Sequence, residues 1–221
     1  MPESRTMKKL SPFMQHFDQL PETLPVFPLP NAVVLPGSNL PLNIFEPRYL
    51  NMLQDAMETH HLIGMVQPRD DNTKPELFQV GCAGRIAHYA ETRDGRLEIA
   101  LTGLCRFRVM EELSTTRGYR LIKPDWSTFA ADYDEPVEPE AQDKSGFNSA
   151  LQAYLNRKEM QADWNMLKKL STEELTNSLV SVLPLSVEDK QMLIETSTLT
   201  HRVRAFTAIL ESNSETSAIR H

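Results

Sequence analysis

The chain has 221 residues, of which 40% are hydrophobic and 24% are charged, and its formal net charge is −7. This length suits one large domain or two small ones, and either can bury a substantial core. The negative balance argues against a nucleic-acid surface over the whole molecule, although a local basic patch is compatible with it.

The sequence shows no pattern typical of a membrane span, a signal peptide or a redox centre. No apolar run approaches the roughly 20 residues that span a bilayer, and Met1–Arg5 is not followed by the apolar core of a signal peptide. Cys82 and Cys105 are the only cysteines and do not form a CxxC pair. We therefore expect a reducing, cytoplasmic setting without a zinc or thioredoxin-like centre.

Residues 1–24 have the character of a tail. Phe13, Phe17 and Leu20 are spaced at i, i+4 and i+7, which predicts a short amphipathic helix. Such a helix either folds back onto the body of the protein or binds a partner.

The region from Pro25 to Leu53 is the most distinctive of the chain. Three short apolar runs, 26–30, 32–35 and 40–45, are interrupted by prolines. Proline lacks an N–H and belongs on edge strands, at strand starts or at bulges. We expect a small, strongly bent barrel with irregular edges, followed by a helix that begins at Pro47.

The next part alternates as strands do. Residues 62–66 form a short apolar strand, and a long hairpin turning at Asp94-Gly95 follows. Apolar side chains alternate with polar ones over 97–101 and 105–109, so one face is buried. Residues 119–123 are the last predicted strand.

An acidic segment separates this region from a helical one. Residues 125–143 hold seven acids and no Lys or Arg, which favours an extended, solvated linker, with an acidic docking strip as the alternative. Beyond it the apolar period becomes 3.6, Ser171 opens a capping box, and Ser186 caps a further helix around 187–195. The predicted organisation is a tail (1–24), a β domain (25–124), an acidic linker (125–145) and a helical bundle (146–221).

Catalytic and cofactor motifs are missing from the sequence. It contains no GxxxxGK[ST], GxSxG, HExxH, SxxK or GxGxxG pattern, so we predict no catalytic residues, no cofactor and no metal site. The arginines of the β region are interleaved with acids, which is typical of a mixed-charge outer face rather than of an RNA groove.

Several stretches resemble the N-terminal, substrate-binding domain of the Lon protease family. They are LPVFPLPNAVVLPG (24–37), LPLNIFEPRY (40–49), IGMVQPR (63–69), VGCAGRIAHYAETRDGRLEIALTGLCRFRV (80–109) and STEELTNSLVSVLPLSVEDKQMLIE (171–195). The resemblance implies an α+β fold, with a PUA-like β pseudo-barrel followed by a helical bundle. Because the ATPase and Ser–Lys protease motifs are missing, the chain is similar to a stand-alone Lon N-domain, and neither activity carries over.

The resemblance favours a non-catalytic module that binds unfolded or peptide segments of other proteins and acts in protein quality control, alongside a separate protease. Extended segments would dock beside the proline-rich strands, at a sheet edge or in an apolar groove. The candidate binding residues are Phe27, Pro28, Leu29, Phe45, Arg48, Tyr49 and Met65. Core positions are the competing interpretation for Phe27, Leu29 and Phe45, and Arg48 has Glu46 as an ion-pair partner.

Two other functions stay open from the sequence. The PUA-like fold and the arginine-bearing strands suggest RNA binding, although fold analogy is a weak argument for function. A hydrolase with catalytic residues scattered along the chain is the second alternative. No membrane partner is expected, and the oligomeric state is left open.

Overall fold

The computed structural model describes residues 7–8, 14–93 and 96–215. Within these residues, six strands form one sheet. They are β1 (Leu24–Pro28), β2 (Asn39–Ile44), β3 (Leu62–Val66), β4 (Val80–Glu91), β5 (Leu97–Leu113) and β6 (Arg120–Asp125). The α-helices are α1 (Pro47–Glu58), α2 (Ala141–Arg157), α3 (Trp164–Leu167), α4 (Thr172–Val182), α5 (Val187–Glu195) and α6 (Leu199–Glu215).

The strand pairings close on themselves. The sheet order is β2-β5-β4-β3-β1-β6, and β6 also pairs with β5, so five strands form a ring to which β2 is added. The long strand β5 makes this possible, because its first half pairs with β2 and its last residues pair with β6. Among the pairings of the described strands, only that of β1 with β3 is parallel. The predicted α+β class is confirmed, and Pro41 lies in β2, the terminal strand of the order, as expected for proline.

The inside of the ring is filled by apolar side chains around Phe107, which has no exposed surface. Its ring meets Trp126 edge-on, with 5.8 Å between the ring centroids. Glycine makes room for it: a Cβ on Gly81 would lie 2.6 Å from Phe107 Cζ and 2.5 Å from the Met65 carbonyl oxygen. The barrel is therefore narrow, and close backbone approach at glycine shapes its core.

The helix α1 begins at Pro47, as the sequence predicts, and buries Tyr49, Met52, Leu53 and Ala56. It packs against β1 and β3. Because Tyr49 lies in the first turn, its ring reaches the end of β1 beside Phe27. This packing positions the aromatic residues discussed below.

The helical region packs on one side of the barrel. The helices α2 and α6 lie against each other, and their Phe147 and Phe206 rings are 5.4 Å apart. Ser171 caps α4 by accepting from the Glu174 N–H, and Ser186 caps α5 by accepting from the Asp189 N–H. Both helix starts agree with the prediction.

The sequence suggested that the acidic segment is extended and solvated. This prediction is wrong for the start of the segment, which is helical and partly buried. Residues Ser127–Tyr133 form a 3-10 helix whose Phe129, Asp132 and Tyr133 are buried. The Asp132 carboxylate is compatible with burial because Arg106 binds it in two places. The division of the chain into separate domains at 125–145 stays a prediction.

Two further expectations concern the chain ends and the hairpin. Phe17–Gln19 form a 3-10 turn, and the Phe17 ring meets Tyr133 edge-on at 5.6 Å. This part of the N-terminal segment therefore folds back onto the body of the protein. Phe13 and the Asp94-Gly95 turn lie outside the described residues.

Candidate functional site

A groove with a volume of about 660 Å³ opens at one end of the barrel. Its walls are the end of β1, the first turn of α1, the loop after β3 and the hairpin between β5 and β6. The lining residues include Pro28, Pro30, Arg48, Tyr49, Pro68, Asp70, Asp71, Lys74, Pro75, Glu112, Tyr119 and Arg120. The sizes of known ligand sites, roughly 300–1,000 Å³, include this volume.

Tyr49 is the aromatic residue best placed for binding in this groove. Its ring stacks on Phe27 with 4.1 Å between centroids, and the Arg48 guanidinium carbon lies 4.6 Å from its centre. The side chain is 6% exposed, and burial raises its pKa although Arg48 opposes this. Within the described part of the chain the hydroxyl has no hydrogen-bond partner and is not enclosed. Tyr49 therefore offers the groove a fixed ring and an uncommitted polar tip.

Tyr119, on the facing wall, differs in its hydrogen bonding. Its hydroxyl donates to Asp55 Oδ2 at 2.8 Å, and the same carboxylate accepts two hydrogen bonds from Arg117. Burial and the Asp55 carboxylate raise the pKa of Tyr119 to about 12. Its hydroxyl is thus already hydrogen-bonded within the protein, so Tyr119 can serve as a control for Tyr49.

The cations that line the groove also have partners within the protein. Arg48 forms an ion pair with Glu46 at 2.8 Å. Arg120 and Lys74 both contact Glu112, and Arg120 in addition donates to the Pro75 carbonyl oxygen. These contacts hold the loop after β3 against the β5–β6 hairpin, so these two walls of the groove are fixed relative to each other.

The candidate residues taken from the sequence divide into three groups. Pro28, Arg48 and Tyr49 line the groove. Phe27 and Met65 lie in the core at 6% and 1% exposure, and Leu29 is half-buried against it.

Phe45 is 59% exposed but lies outside the groove, with the Arg96 guanidinium carbon 5.6 Å from its ring. A binding role for any of the seven candidates stays a prediction. The sequence did not point to the wall formed by residues 112–120, because nothing local links that hairpin to β1.

Other chemistry finds little support in the described residues. Burial raises the pKa of the Cys82 and Cys105 thiols far above neutral pH, so neither is poised as a nucleophile. Among the described residues, no three His, Cys, Asp or Glu side chains are grouped as metal ligands would be. Over the same residues, no helix has the length and apolarity needed to cross a membrane.

Comparison with known proteins identifies the family. The sequence model of the ATP-dependent protease La (Lon) substrate-binding domain matches residues 23–212. This chain belongs to that family. The resemblance seen in the sequence is thereby confirmed over the whole span that suggested it.

Relatives of this Lon domain are much longer proteins. It is 26% identical to Lon protease 2 of Myxococcus xanthus over 204 residues, which cover 90% of the chain and 24% of that protein. It is 27% identical to Lon protease 2 of Thermus thermophilus over 212 residues, again 24% of that protein. The chain thus spans about a quarter of the length of these relatives.

Solved structures share the fold. A Lon N-terminal domain protein from Xanthomonas campestris superimposes with a TM-score of 0.63 at 24% identity, covering 84% of this chain and 97% of that one. The N-terminal domain of a Mycobacterium avium complex Lon protease gives 0.64 at 17% identity, covering 86% and 98%. At these identities the likeness establishes architecture, and function has to be argued from the groove.

Proposed function

We propose that this Lon-type domain is a non-catalytic module that holds extended or unfolded segments of other proteins in the Tyr49 groove. The observation that carries the proposal is the uncommitted Tyr49 hydroxyl, on a ring fixed by Phe27, in a chain of the Lon substrate-binding family. In this view the domain is an accessory of protein quality control, and the cutting is done by a protease site carried elsewhere.

The composition of the groove suits an extended peptide. Four lining residues are prolines, Pro28, Pro30, Pro68 and Pro75. Their rings present apolar surface and have no main-chain N–H to desolvate, so a peptide can lie against them without leaving donors unpaired. Aromatic-lined grooves bind extended segments in other recognition modules.

The experiment compares two tyrosines whose hydroxyl groups differ in hydrogen bonding: that of Tyr119 has a partner within the protein and that of Tyr49 does not, among the described residues. We expect Tyr49→Phe to weaken binding of a labelled unfolded-protein peptide by about three- to tenfold, because one hydrogen bond is lost. Tyr49→Ala should weaken it further, since the ring is lost too. Fluorescence anisotropy against a scrambled peptide measures both.

Tyr119→Phe is the matched control, and it should leave peptide affinity unchanged because its hydroxyl already binds Asp55. Equal affinities for wild type, Tyr49→Phe and Tyr49→Ala would contradict the proposal. So would a loss of affinity in Tyr119→Phe that matches the loss in Tyr49→Phe.

The alternatives are weaker at this groove. RNA binding needs cations free to meet phosphates, whereas Arg48, Lys74 and Arg120 each contact a carboxylate. A hydrolase needs an activated nucleophile, and the buried thiols are not activated. We also propose a cytoplasmic location, consistent with two free thiols and testable by cell fractionation.

A further inference from the structure

A second cleft, with a volume of about 340 Å³, lies where the barrel meets the helices. Its walls come from β4, β5, the 3-10 helix 127–133 and the turn between α5 and α6. Three arginines line it: Arg69, Arg106 and Arg108. Such a concentration of cations is unexpected in a chain of net charge −7.

Arg106 is fully engaged by the protein itself. Its Nε and Nη2 donate to the Asp132 carboxylate, and its Nη1 donates to the carbonyl oxygens of Ile194 and Thr196. The pair is buried and neutral overall, so Arg106 forms the back wall of the cleft rather than a free binding group.

Arg69 and Arg108 differ from Arg106 in their contacts, because neither is bound to a carboxylate among the described residues. The Arg69 guanidinium carbon stacks 5.0 Å from the centre of the Phe78 ring, and Arg108 Nη1 donates to Gln79 Oε1 at 3.3 Å. Within the described residues, no carboxylate forms an ion pair with either. By contrast, four other arginines each have a carboxylate partner: Arg48, Arg117, Arg120 and Arg204.

The nearby acids do not cancel both cations. Glu195 lines the cleft and accepts a hydrogen bond from Gln191. Asp125 lies opposite Arg108 in the β5–β6 ladder, but its carboxylate accepts from the Ser127 N–H and from the Ser127 and Thr128 hydroxyls. Among the described residues that line the cleft, two guanidinium groups without a carboxylate partner accompany a single carboxylate, that of Glu195.

We propose that this cleft binds a phosphate-type oxyanion, held by Arg69 and Arg108. The two guanidinium forks come from different elements, a loop and a strand, and they meet one ligand only if it presents oxygens in several directions. A tetrahedral phosphate does so, whereas a planar carboxylate satisfies a single fork. The cleft has room for a phosphate monoester of a small molecule as well as for free phosphate.

Calorimetric titration of the full chain with inorganic phosphate and with glycerol 3-phosphate tests the proposal and separates the two sources. We expect saturable binding of at least one probe. Arg69→Gln and Arg108→Gln should each weaken it about tenfold or more, because a charged hydrogen-bond pair is lost. Arg204→Gln, which removes a carboxylate-paired surface arginine elsewhere, should leave it unchanged.

Glu195→Gln gives a change of opposite sign. Removing the negative charge of Glu195, which lines the cleft with the two cations, should tighten phosphate binding by about three- to tenfold. The absence of saturable binding to wild type would overturn the proposal. Arg108→Gln binding as well as wild type, or weaker binding in Glu195→Gln, would overturn it too, while peptide binding at the Tyr49 groove would be untouched in each case.

Discussion

The interior of the barrel and its junction with the helices are both buried, yet they are built from different chemistry. Around Phe107 the barrel is filled by side chains such as those of Leu24 and Val26, which have no polar atoms to satisfy. The junction instead holds most of the buried polar side chains, which include Gln67, Arg106, Asp132, Asn177, Lys190, Gln191 and Arg202.

Hydrogen bonds across the junction connect one part to the other. Asn177 donates to the Pro36 carbonyl oxygen, Gln191 to that of Val80 and Lys190 to that of Asn31. Arg202 is 3% exposed at this junction, and burial together with the neighbouring Arg106 cation lowers its pKa.

The difference bears on how each region is specified. Apolar packing stabilises the barrel but tolerates any side chain of suitable volume and shape. Each hydrogen bond in a buried network contributes only a modest net free energy. If its partner shifts, however, the buried polar group is left unpaired, which is costly. We infer that the junction chiefly fixes the angle at which the helices dock, and that the barrel core supplies most of the stability.

The largest effect should come from the barrel core. Phe107→Ala leaves a cavity in a region with no exposed surface, so we expect it to lower the free energy of unfolding by about 3–5 kcal/mol. Urea denaturation measures this. The control is Phe45→Ala, an exposed ring, which should cost less than about 1 kcal/mol. Similar losses in the two variants would contradict the placement of Phe107 at the centre.

An intermediate effect should come from the junction. Asp132→Asn leaves the buried Arg106 guanidinium without a counter-charge, and we expect a loss of about 2–3 kcal/mol in the free energy of unfolding. Asp143→Asn removes the partner of the exposed Arg204 and should change the free energy of unfolding far less, because an exposed ion pair is screened by solvent.

A double variant sharpens the same comparison. Replacing both members, as in Arg106→Met with Asp132→Leu, removes the unpaired charge and should lose less stability than Asp132→Asn alone. If the double variant is the less stable of the two, the ion pair contributes stability as well as docking geometry, and the contrast with the barrel core is smaller than we infer.

The smallest effect should come from a helix start that belongs to neither region. The Glu174 carboxylate accepts from the Ser171 N–H and hydroxyl, and these hydrogen bonds lower its pKa. We expect Glu174→Gln to cost about 0.5 kcal/mol at neutral pH.

The pH dependence of that cost has a definite sign. A lowered folded-state pKa contributes stability that is fully present above the unfolded glutamate value, about 4.3. This contribution is lost as pH falls through the folded-state pKa. The difference between wild type and Glu174→Gln, measured by urea denaturation over this range, should therefore vanish in acid. A difference that stays constant with pH would show that the charge of Glu174 is not involved.

Much of the local structure is readable from sequence. Pro47 begins α1, Ser171 and Ser186 cap their helices, and the alternation over 97–109 marks a strand. These features depend on residues within a few positions of each other. The groove is different, because Tyr49 and Arg120 meet there only after the ring of strands closes.

Sequence alone therefore determined the elements of this protein, their apolar faces and, through several linked stretches, its family. Tertiary structure decided what covers each face. Arg106 and Arg108 lie two residues apart on β5, yet only Arg106 is buried, since the 3-10 helix and the end of α5 cover it. Its partners are 26 and 88 residues away. Side-chain periodicity reports which face of a strand is polar, but it carries no information about which distant element will pack there.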